Sequence, residues 1–212
     1  MNRIIAIGDV HGCIFELEDL LNQLQLRSSD QVVFLGDLVN NGPNSHAVLK
    51  TARQINAKCL LGNHERRLLW YRRKGDPGVL RKADHRTVSS LSRRDWDFMR
   101  RFSLTHLTAD RKLLLVHGGF LPDQPWQLQP ASVVTEMRNL HAAKETDTYR
   151  PFWTEQWQGP PFVVYGHTPR HQVDRQKWAW GIDTGCYRGG ALSAFVWPDK
   201  RIVQIPARKK YA

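Results

Sequence analysis

Short apolar runs, each followed by a polar loop that contains glycine, recur along the chain. The first run, residues 3–7, is rich in isoleucine and predicts a buried strand. Leucines then recur at helical spacing over residues 15–26, which predicts an amphipathic helix. Residues 31–35 and 57–61 predict two more strands, with a further helix between them. This alternation is typical of a βαβαβ unit with a parallel sheet.

The middle of the chain predicts helices, and its last third predicts mainly strands. One helix is expected over residues 66–74, where a Gly-Asp-Pro-Gly turn stops it, and a second over residues 89–102. A Pro- and Trp-rich stretch follows, with a short helix expected over residues 133–140. The remaining strands are predicted at residues 113–116, 162–165, 177–182, 191–197 and 201–205.

Five of the apolar runs end in Asp, Asn or His beside glycine. In chain order these polar residues are Asp9 and His11, Asp37, Asn63 and His64, His117, and His167. An Asp in a strand-to-helix turn is often only a helix cap, but five such endings in one chain are improbable as caps. Because ligand sites of open α/β sheets form at the carboxyl ends of the strands, we expect these side chains to converge.

Carboxylate, amide and imidazole ligands together predict a centre with two divalent metal ions. Such ligands suit Mn, Fe or Zn. Two adjacent metals can clamp the attacking and leaving oxygens of an in-line phosphoryl displacement, and a hydroxide between them would attack phosphorus. His64 would donate a proton to the leaving oxygen. The expected ligands are Asp9 and His11 for one metal, Asp37 as the bridge, and Asn63, His117 and His167 for the other.

The motifs GDVHG, GDLVNNGP, LGNHE, VHGG and YGHT, in this order between residues 8 and 168, resemble those of the calcineurin-like metallophosphoesterases. The nearest branch includes lambda-type serine/threonine protein phosphatases and symmetrical diadenosine tetraphosphatases. The resemblance implies an α/β fold, a four-layer αββα sandwich with a small helical insert. It also implies two divalent ions, Mn above all with Fe, Zn, Ni or Co as alternatives, and His64 as the general acid. We expect one domain over residues 1–212, with residues 66–112 as a basic helical cap.

The second motif departs from the family pattern GDxVDRGP, because Asn40 and Asn41 replace its Asp and Arg. The Asp would pair with His64 and raise its pKa, so its loss weakens the acid. That loss is tolerable when the leaving group is a stable anion, as in a phosphoanhydride. The Arg would bind the substrate phosphate. Candidates for phosphate binding are Asn41, Arg170 and Arg188, and the alternative for both arginines is a solvated surface charge.

The sequence is compatible with several classes of substrate. Hydrolysis of serine/threonine phosphoproteins or phosphomonoesters is the lead hypothesis, because Glu65 and the short chain look like the lambda-type phosphatases. Symmetrical hydrolysis of dinucleoside polyphosphates is the alternative that Asn40 favours. A catalytically weak RNA-binding module and a nuclease or cyclic phosphodiesterase are further possibilities. Restoring Asp at position 40 and Arg at position 41 is expected to raise phosphomonoesterase activity.

Net charge and cysteine content limit the classes of partner and the cellular location that we expect. The 212 residues carry a net charge of +11, and residues 66–112 hold 14 Lys/Arg against 5 Asp, or +9. This excess predicts a polyanion: a phosphorylated protein, a nucleotide polyphosphate or nucleic acid. Because the N-terminus enters the first strand directly and the three cysteines are scattered, we expect a cytoplasmic protein without a membrane span. Trp126, Trp153 and Trp157 are candidates for stacking on a nucleobase.

Overall fold

The computed structural model describes residues 3–140 and 149–212, which contain ten strands and seven α-helices. The strands are β1 (Ile4–Ile7), β2 (Gln31–Phe34), β3 (Lys58–Cys59), β4 (Thr105–Leu107), β5 (Leu113–Val116), β6 (Phe162–Tyr165), β7 (Asp174–Arg175), β8 (Ala179–Gly181), β9 (Ala191–Trp197) and β10 (Arg201–Pro206). The helices are α1 (Ile14–Leu24), α2 (Ser45–Gln54), α3 (Asn63–Lys74), α4 (Lys82–Ser90), α5 (Arg93–Met99), α6 (Ala131–Glu136) and α7 (Trp153–Gln156).

The strands form two five-stranded sheets. In the first the order is β10-β9-β1-β2-β3, and β1, β2 and β3 run parallel, which confirms the βαβαβ prediction. Strand β9 pairs antiparallel with both β1 and β10. In the second sheet the order is β4-β5-β6-β8-β7, with β5, β6 and β8 parallel. The carboxyl ends of three parallel strands therefore lie together in each sheet.

Alternating side chains divide the core into layers. In β5, Leu113 and Leu115 pack between the two sheets, whereas Leu114 and Val116 face the helices α6 and α7. In β1, Ala6 points between the sheets, and its isoleucine neighbours join the cluster under α1, α2, α3 and α5. Helices thus cover the outer face of each sheet, and the four-layer αββα sandwich is confirmed.

Several predicted boundaries were wrong. The helix expected over residues 89–102 corresponds to the shorter α5, because Ser92 caps a helix that begins at Arg93: its backbone N–H donates to the Asp95 carboxylate at 2.8 Å. Helix α3 begins at Asn63, three residues before its predicted start, and α6 ends at Glu136. The sequence did not predict β4, β7, α7 or α4, which ends at Ser90 and lies almost entirely before the predicted helix of residues 89–102. Within the described part of the chain, no helix is long and apolar enough to cross a membrane.

Candidate metal centre

Loops at the carboxyl ends of the parallel strands bring three imidazoles around the buried Asp37 carboxylate. The Nε2 atom of His117 lies 3.5 Å from its Oδ1 atom, and the Nε2 atoms of His11 and His64 lie 3.7 and 3.9 Å from its Oδ2 atom. Asp37 is 2% exposed. The structure thus places Asp37 at the middle of the cluster, where the sequence predicted a bridging ligand.

Two sets of candidate metal ligands share Asp37. One set is Asp37, His117 and His167, and the other is Asp37, His11 and His64; within each set the ligand atoms lie within 4.8 Å of one another. The Oδ1 atom of Asn63 lies 3.1 Å from His117 Nε2, beside the first set. A shared carboxylate is the arrangement that a two-metal site requires, because its two oxygens can serve two cations. The second set contains His64, where the sequence predicted Asp9.

Asp9 lies in the same buried cluster, together with Asp183, a candidate ligand that was not predicted from the sequence. Both oxygens of Asp9 accept from the His167 N–H at 3.1 Å. Asp183, in the loop after β8, is 5% exposed and faces Asp9 and Asp37. The Asp-Thr-Gly sequence that contains Asp183 again places a carboxylate beside glycine after a strand, which is the signal that could have identified it.

Hydrogen bonds to the backbone orient two of the imidazoles. The Nδ1 atom of His11 lies 3.0 Å from the Val39 carbonyl, and that of His117 lies 3.0 Å from the Leu35 carbonyl. A carbonyl only accepts, so Nδ1 carries the proton in both rings. Each ring therefore turns its Nε2 atom towards the cluster, and this is the atom through which a histidine oriented in this way can bind a metal ion.

Glu65 holds the Asp37 loop in place. Its buried carboxylate accepts from the backbone N–H groups of Asp37, Leu38 and Val39 at 2.9, 2.7 and 3.1 Å. Asp37 itself has a φ of 49°, a strained value for a residue with a side chain. A Cβ atom on Gly62 would lie 2.1 Å from Asp37 Oδ1, so only glycine fits there. Glu65 therefore has a structural role and does not indicate a protein substrate.

The carboxylates of the cluster provide the negative charge that bound cations require. Burial and the nearby Asp183 hold the pKa of Asp9 well above its usual value. Burial alone would also raise the pKa of Asp37, but the imidazoles of His117 and His64 outweigh it and lower that pKa. Burial would lower the pKa of His117, yet Asp37 and Asp9 raise it to about 10. Three buried carboxylates beside the imidazoles of His11, His117 and His167 form a donor set that fits divalent metal ions.

The amide of Asn40 connects His64 to a carboxylate of the cap. Its Nδ2 atom donates to Asp84 Oδ1 at 2.7 Å and also lies 2.7 Å from His64 Nδ1. Only the NH₂ end of the amide can face a carboxylate, so His64 Nδ1 must accept. Arg67 binds Asp84 with two hydrogen bonds of 2.7 and 2.9 Å. Burial, helped by the charge of Arg67, lowers the pKa of His64 to about 4.

The proposed phosphate ligands do not all reach the centre. A cleft of about 360 Å³, the active-site cleft, is lined by Asn41, Arg188 and the metal-ligand candidates His11, Asp37, Asn63, His167 and Asp183. Arg170 lies in another cavity, where its guanidinium packs over the Phe152 ring at 5.1 Å. The structure instead brings three arginines to the cleft that the sequence did not single out: Arg67, Arg81 and Arg138.

Comparisons with known proteins agree with this geometry. The model of the calcineurin-like phosphoesterase family matches residues 2–191. The asymmetrical bis(5'-nucleosyl)-tetraphosphatase PrpE of Oceanobacillus iheyensis is 29% identical, over 99% of this chain and 94% of the relative. The symmetrical bis(5'-nucleosyl)-tetraphosphatase of Erwinia tasmaniensis is 27% identical, over 96% of this chain and 97% of the relative.

Solved structures extend the likeness. The crystal structure of a candidate diadenosine tetraphosphatase shares 32% identity and superposes with a TM-score of 0.86, over 97% of this chain and 94% of that one. A serine/threonine phosphatase of Saccharomyces cerevisiae superposes with a TM-score of 0.66 over 98% of this chain and 80% of that one, at 14% identity. At such low identity the second likeness shows the shared fold alone.

Proposed function

Because the chain belongs to the calcineurin-like phosphoesterase family and is a hydrolase of phosphoric ester or anhydride bonds, we propose that it hydrolyses dinucleoside tetraphosphates. The proposed reaction is symmetrical, converting diadenosine tetraphosphate to two ADP. The phosphoprotein and phosphomonoester hypothesis is the less supported one, because the relatives of similar length carry tetraphosphatase names. Glu65, one of its two sequence arguments, holds a loop instead.

The hydrogen bonding of His64 carries the proposal. Its Nδ1 atom faces the Asn40 NH₂ group at 2.7 Å and the Arg67 guanidinium at 3.2 Å, and both of these groups only donate. A ring held in this way carries its proton on Nε2, on the cleft side. A second proton, on Nδ1, would face two donors and find no hydrogen-bond acceptor. Such a histidine can donate a hydrogen bond but is a poor source of a full proton. A leaving phosphate, unlike a serine alkoxide, departs as a stable anion and needs no such proton.

The charge of the cleft supports the same substrate class. Arg67, Arg81, Arg138 and Arg188 line it together with the carboxylate cluster. The Arg138 guanidinium donates to the His167 carbonyl at 3.2 Å, which fixes it beside the candidate ligands. Four guanidinium groups match a polyphosphate chain better than a single phosphomonoester, because each can bind two phosphate oxygens.

Divalent ions are part of the proposal, with Mn as the proposed metal. The residues that would hold them are Asp9, His11, Asp37, Asn63, His117 and His167, with Asp183 as an added candidate. When bound, two such ions polarise a phosphoryl oxygen and acidify water near neutral pH. The residues themselves position the ligand atoms and hold the polyphosphate. We also keep the cytoplasmic location as a proposal, on the scattered cysteines of the sequence.

Product analysis tests the proposal. Diadenosine tetraphosphate would be incubated with metal-free protein, with Mn restored and with Mn plus a chelator, and the nucleotides separated by chromatography. We expect ADP as the only product, and only in the Mn sample. ATP plus AMP would retain the substrate class and overturn the symmetrical cleavage. Intact dinucleotide beside phosphate release from a phosphoserine peptide would overturn the proposal in favour of the phosphoprotein hypothesis.

A further inference from the structure

A second cavity adjoins the active-site cleft. It has a volume of about 790 Å³ and shares Asn63, Arg67 and Arg81 with the cleft. We call it the arginine cavity, after the six arginines that line it: Arg66, Arg67, Arg72, Arg73, Arg81 and Arg100. Its volume falls in the range of pockets that hold small organic ligands. A ligand can thus occupy both cavities at once.

The arginine cavity contains more positive charges than the acidic residues around it can neutralise. Glu136 is the one acidic residue among the lining residues, and it pairs with Arg66. Within residues 3–140 and 149–212, neither the Arg73 nor the Arg81 guanidinium has a carboxylate oxygen within 4.0 Å, although the Arg81 backbone N–H donates to Asp84 at 2.6 Å. The Nε atom of Arg66 is buried without a hydrogen-bond partner in the same residues. These unpaired donors predict an anionic ligand.

The same cavity also has an apolar wall. Leu69, Trp70 and Val79 line it, and Trp70 is 38% exposed. Trp70 follows the candidate metal ligand Asn63 by seven residues on α3, so it lies on the same helix face, about 10 Å further along the axis. An indole at this place can stack on an aromatic ring. A ligand that satisfies both walls therefore carries an aromatic group beside negative charges.

We propose that the arginine cavity binds one nucleoside phosphate arm of the substrate while the reacting phosphate lies at the metal centre. The base stacks on Trp70, and Arg73 and Arg81 bind the phosphates nearest to it. This inference rests on the proposed function, and it makes the arginine cavity the surface that selects a dinucleotide substrate. A small phosphate ester without a base would reach the metal centre and leave the arginine cavity empty.

Steady-state kinetics on two substrates test this assignment. Trp70→Ala and Arg73→Ala would each be assayed with diadenosine tetraphosphate and with p-nitrophenyl phosphate. We expect KM for the dinucleotide to rise about tenfold, a typical loss for one stacked base, with kcat unchanged. Both constants for the small ester are expected to stay at the parent values, and Trp70→Phe is expected to restore most of the dinucleotide affinity. Equal changes for both substrates, or none for either, would overturn the proposal.

A matched surface variant controls for charge. Arg93→Ala removes an arginine of the cap whose side chain is 95% exposed and which lines neither cavity. It is expected to leave both substrates at parent KM. A rise in dinucleotide KM equal to that of Arg73→Ala would mean that general charge, and not this cavity, attracts the substrate.

Direct binding separates this inference from the proposed function. ADP would be titrated calorimetrically into Asp37→Asn protein, with and without Trp70→Ala. Binding that weakens with Trp70→Ala supports the arginine cavity even if the parent fails to hydrolyse the dinucleotide, which would overturn the proposed function alone. ADP binding unaffected by Trp70→Ala overturns the inference alone. A single-stranded RNA that binds more tightly than ADP through the same residues would overturn the assignment to a small nucleotide.

Discussion

The active-site cleft and the arginine cavity share a wall but are built in opposite ways. In the cleft, short side chains such as Asp37 and His11 are buried on strand-end loops, and hydrogen bonds with the backbone fix them. In the arginine cavity, long side chains such as Arg73 extend from a helix surface and are exposed. Rigid buried groups suit chemistry, whereas flexible exposed charges suit attraction and binding. Substitutions in the two regions should therefore separate into effects on kcat and on KM.

Loss of the shared carboxylate should have the largest effect. Asp37→Asn leaves one oxygen in place but removes the charge that both candidate ligand sets use. We expect kcat on diadenosine tetraphosphate to fall by more than about a hundredfold, the loss that weakened support of a ligand alone can reach. Bound metal, measured by elemental analysis, should fall with it. Asp97→Asn, at a half-exposed position on α5, serves as the control; equal losses in both variants would refute a special role for Asp37.

The second-largest effect is expected at the hydrogen bond between Asn40 and Asp84. Asn40→Asp alone would place two carboxylates about where Asn40 Nδ2 and Asp84 Oδ1 now lie, 2.7 Å apart. We expect it to lower the free energy of unfolding by on the order of 2 kcal/mol or more. Because Asp84 already supplies a negative charge there, we expect Asp at position 40 alone not to raise phosphomonoesterase activity, and the gain expected from Asp at position 40 together with Arg at position 41 stays a prediction.

A charge swap sharpens that test. The double variant Asn40→Asp/Asp84→Asn keeps the total charge and gives His64 Nδ1 an acceptor. We expect denaturant titrations to show stability recovered towards the parent value, and kcat/KM to shift towards a phosphomonoester relative to the dinucleotide. An unchanged substrate ratio in a folded double variant would contradict the role given to His64.

Salt should affect the two regions unequally. Exposed guanidinium groups are screened within about 10 Å at 0.1 M ionic strength, whereas buried pairs are screened much less. Raising the salt concentration is therefore expected to raise KM for the dinucleotide several-fold and to change kcat little. Parallel titrations with p-nitrophenyl phosphate should show a smaller rise in KM. The same salt response for both substrates would argue against a separate charged binding surface.

The smallest effect on activity is expected at Asp95, which joins α5 to α2. Its carboxylate contacts His46 and Arg53 at 2.6 Å each. Burial alone would raise the pKa of Asp95, but hydrogen bonds from Ser92, Arg53 and His46 outweigh it and lower that pKa. A lowered pKa means that this contribution to stability is present above about pH 4 and is lost as the pH falls further.

Unfolding measurements check the contribution of Asp95. Asp95→Asn is expected to reduce the free energy of unfolding at pH 7 by on the order of 2 kcal/mol, the usual worth of hydrogen bonds to a charged group. The parent's advantage should shrink in acid, while kcat of the folded variant stays near the parent value. An advantage that grows in acid would show that the pKa direction is wrong.

Local patterns explain why much of the centre could be predicted from the sequence. Each ligand candidate follows its strand within a few residues, and parallel strands bring their carboxyl ends together whatever lies between them. The predicted set Asp9, His11, Asp37, His117 and His167 therefore lies in one buried cluster. The break at Ser92 between α4 and α5 was also a local signal, a capping box that the apolar periodicity concealed.

Contacts between distant parts of the chain could not be predicted in this way. Asp84 meets Asn40 across 44 positions, and no spacing rule relates them. Arg170 follows the predicted ligand His167 by three positions, yet its side chain packs against Phe152. Trp153, a stacking candidate, is fully buried under the second sheet, whereas Trp70 borders the arginine cavity. Side-chain direction on helices and loops depends on the tertiary packing that surrounds it.

One comparison of specificity constants tests the central claim most directly. With Mn present, kcat/KM would be measured for diadenosine tetraphosphate and for a phosphoserine peptide on the same preparation. We predict that the dinucleotide is preferred by at least about a hundredfold, because His64 cannot protonate an alkoxide efficiently while a leaving phosphate needs no proton. A peptide hydrolysed as well as or better than the dinucleotide would contradict the account of His64, Asn40 and Asp84.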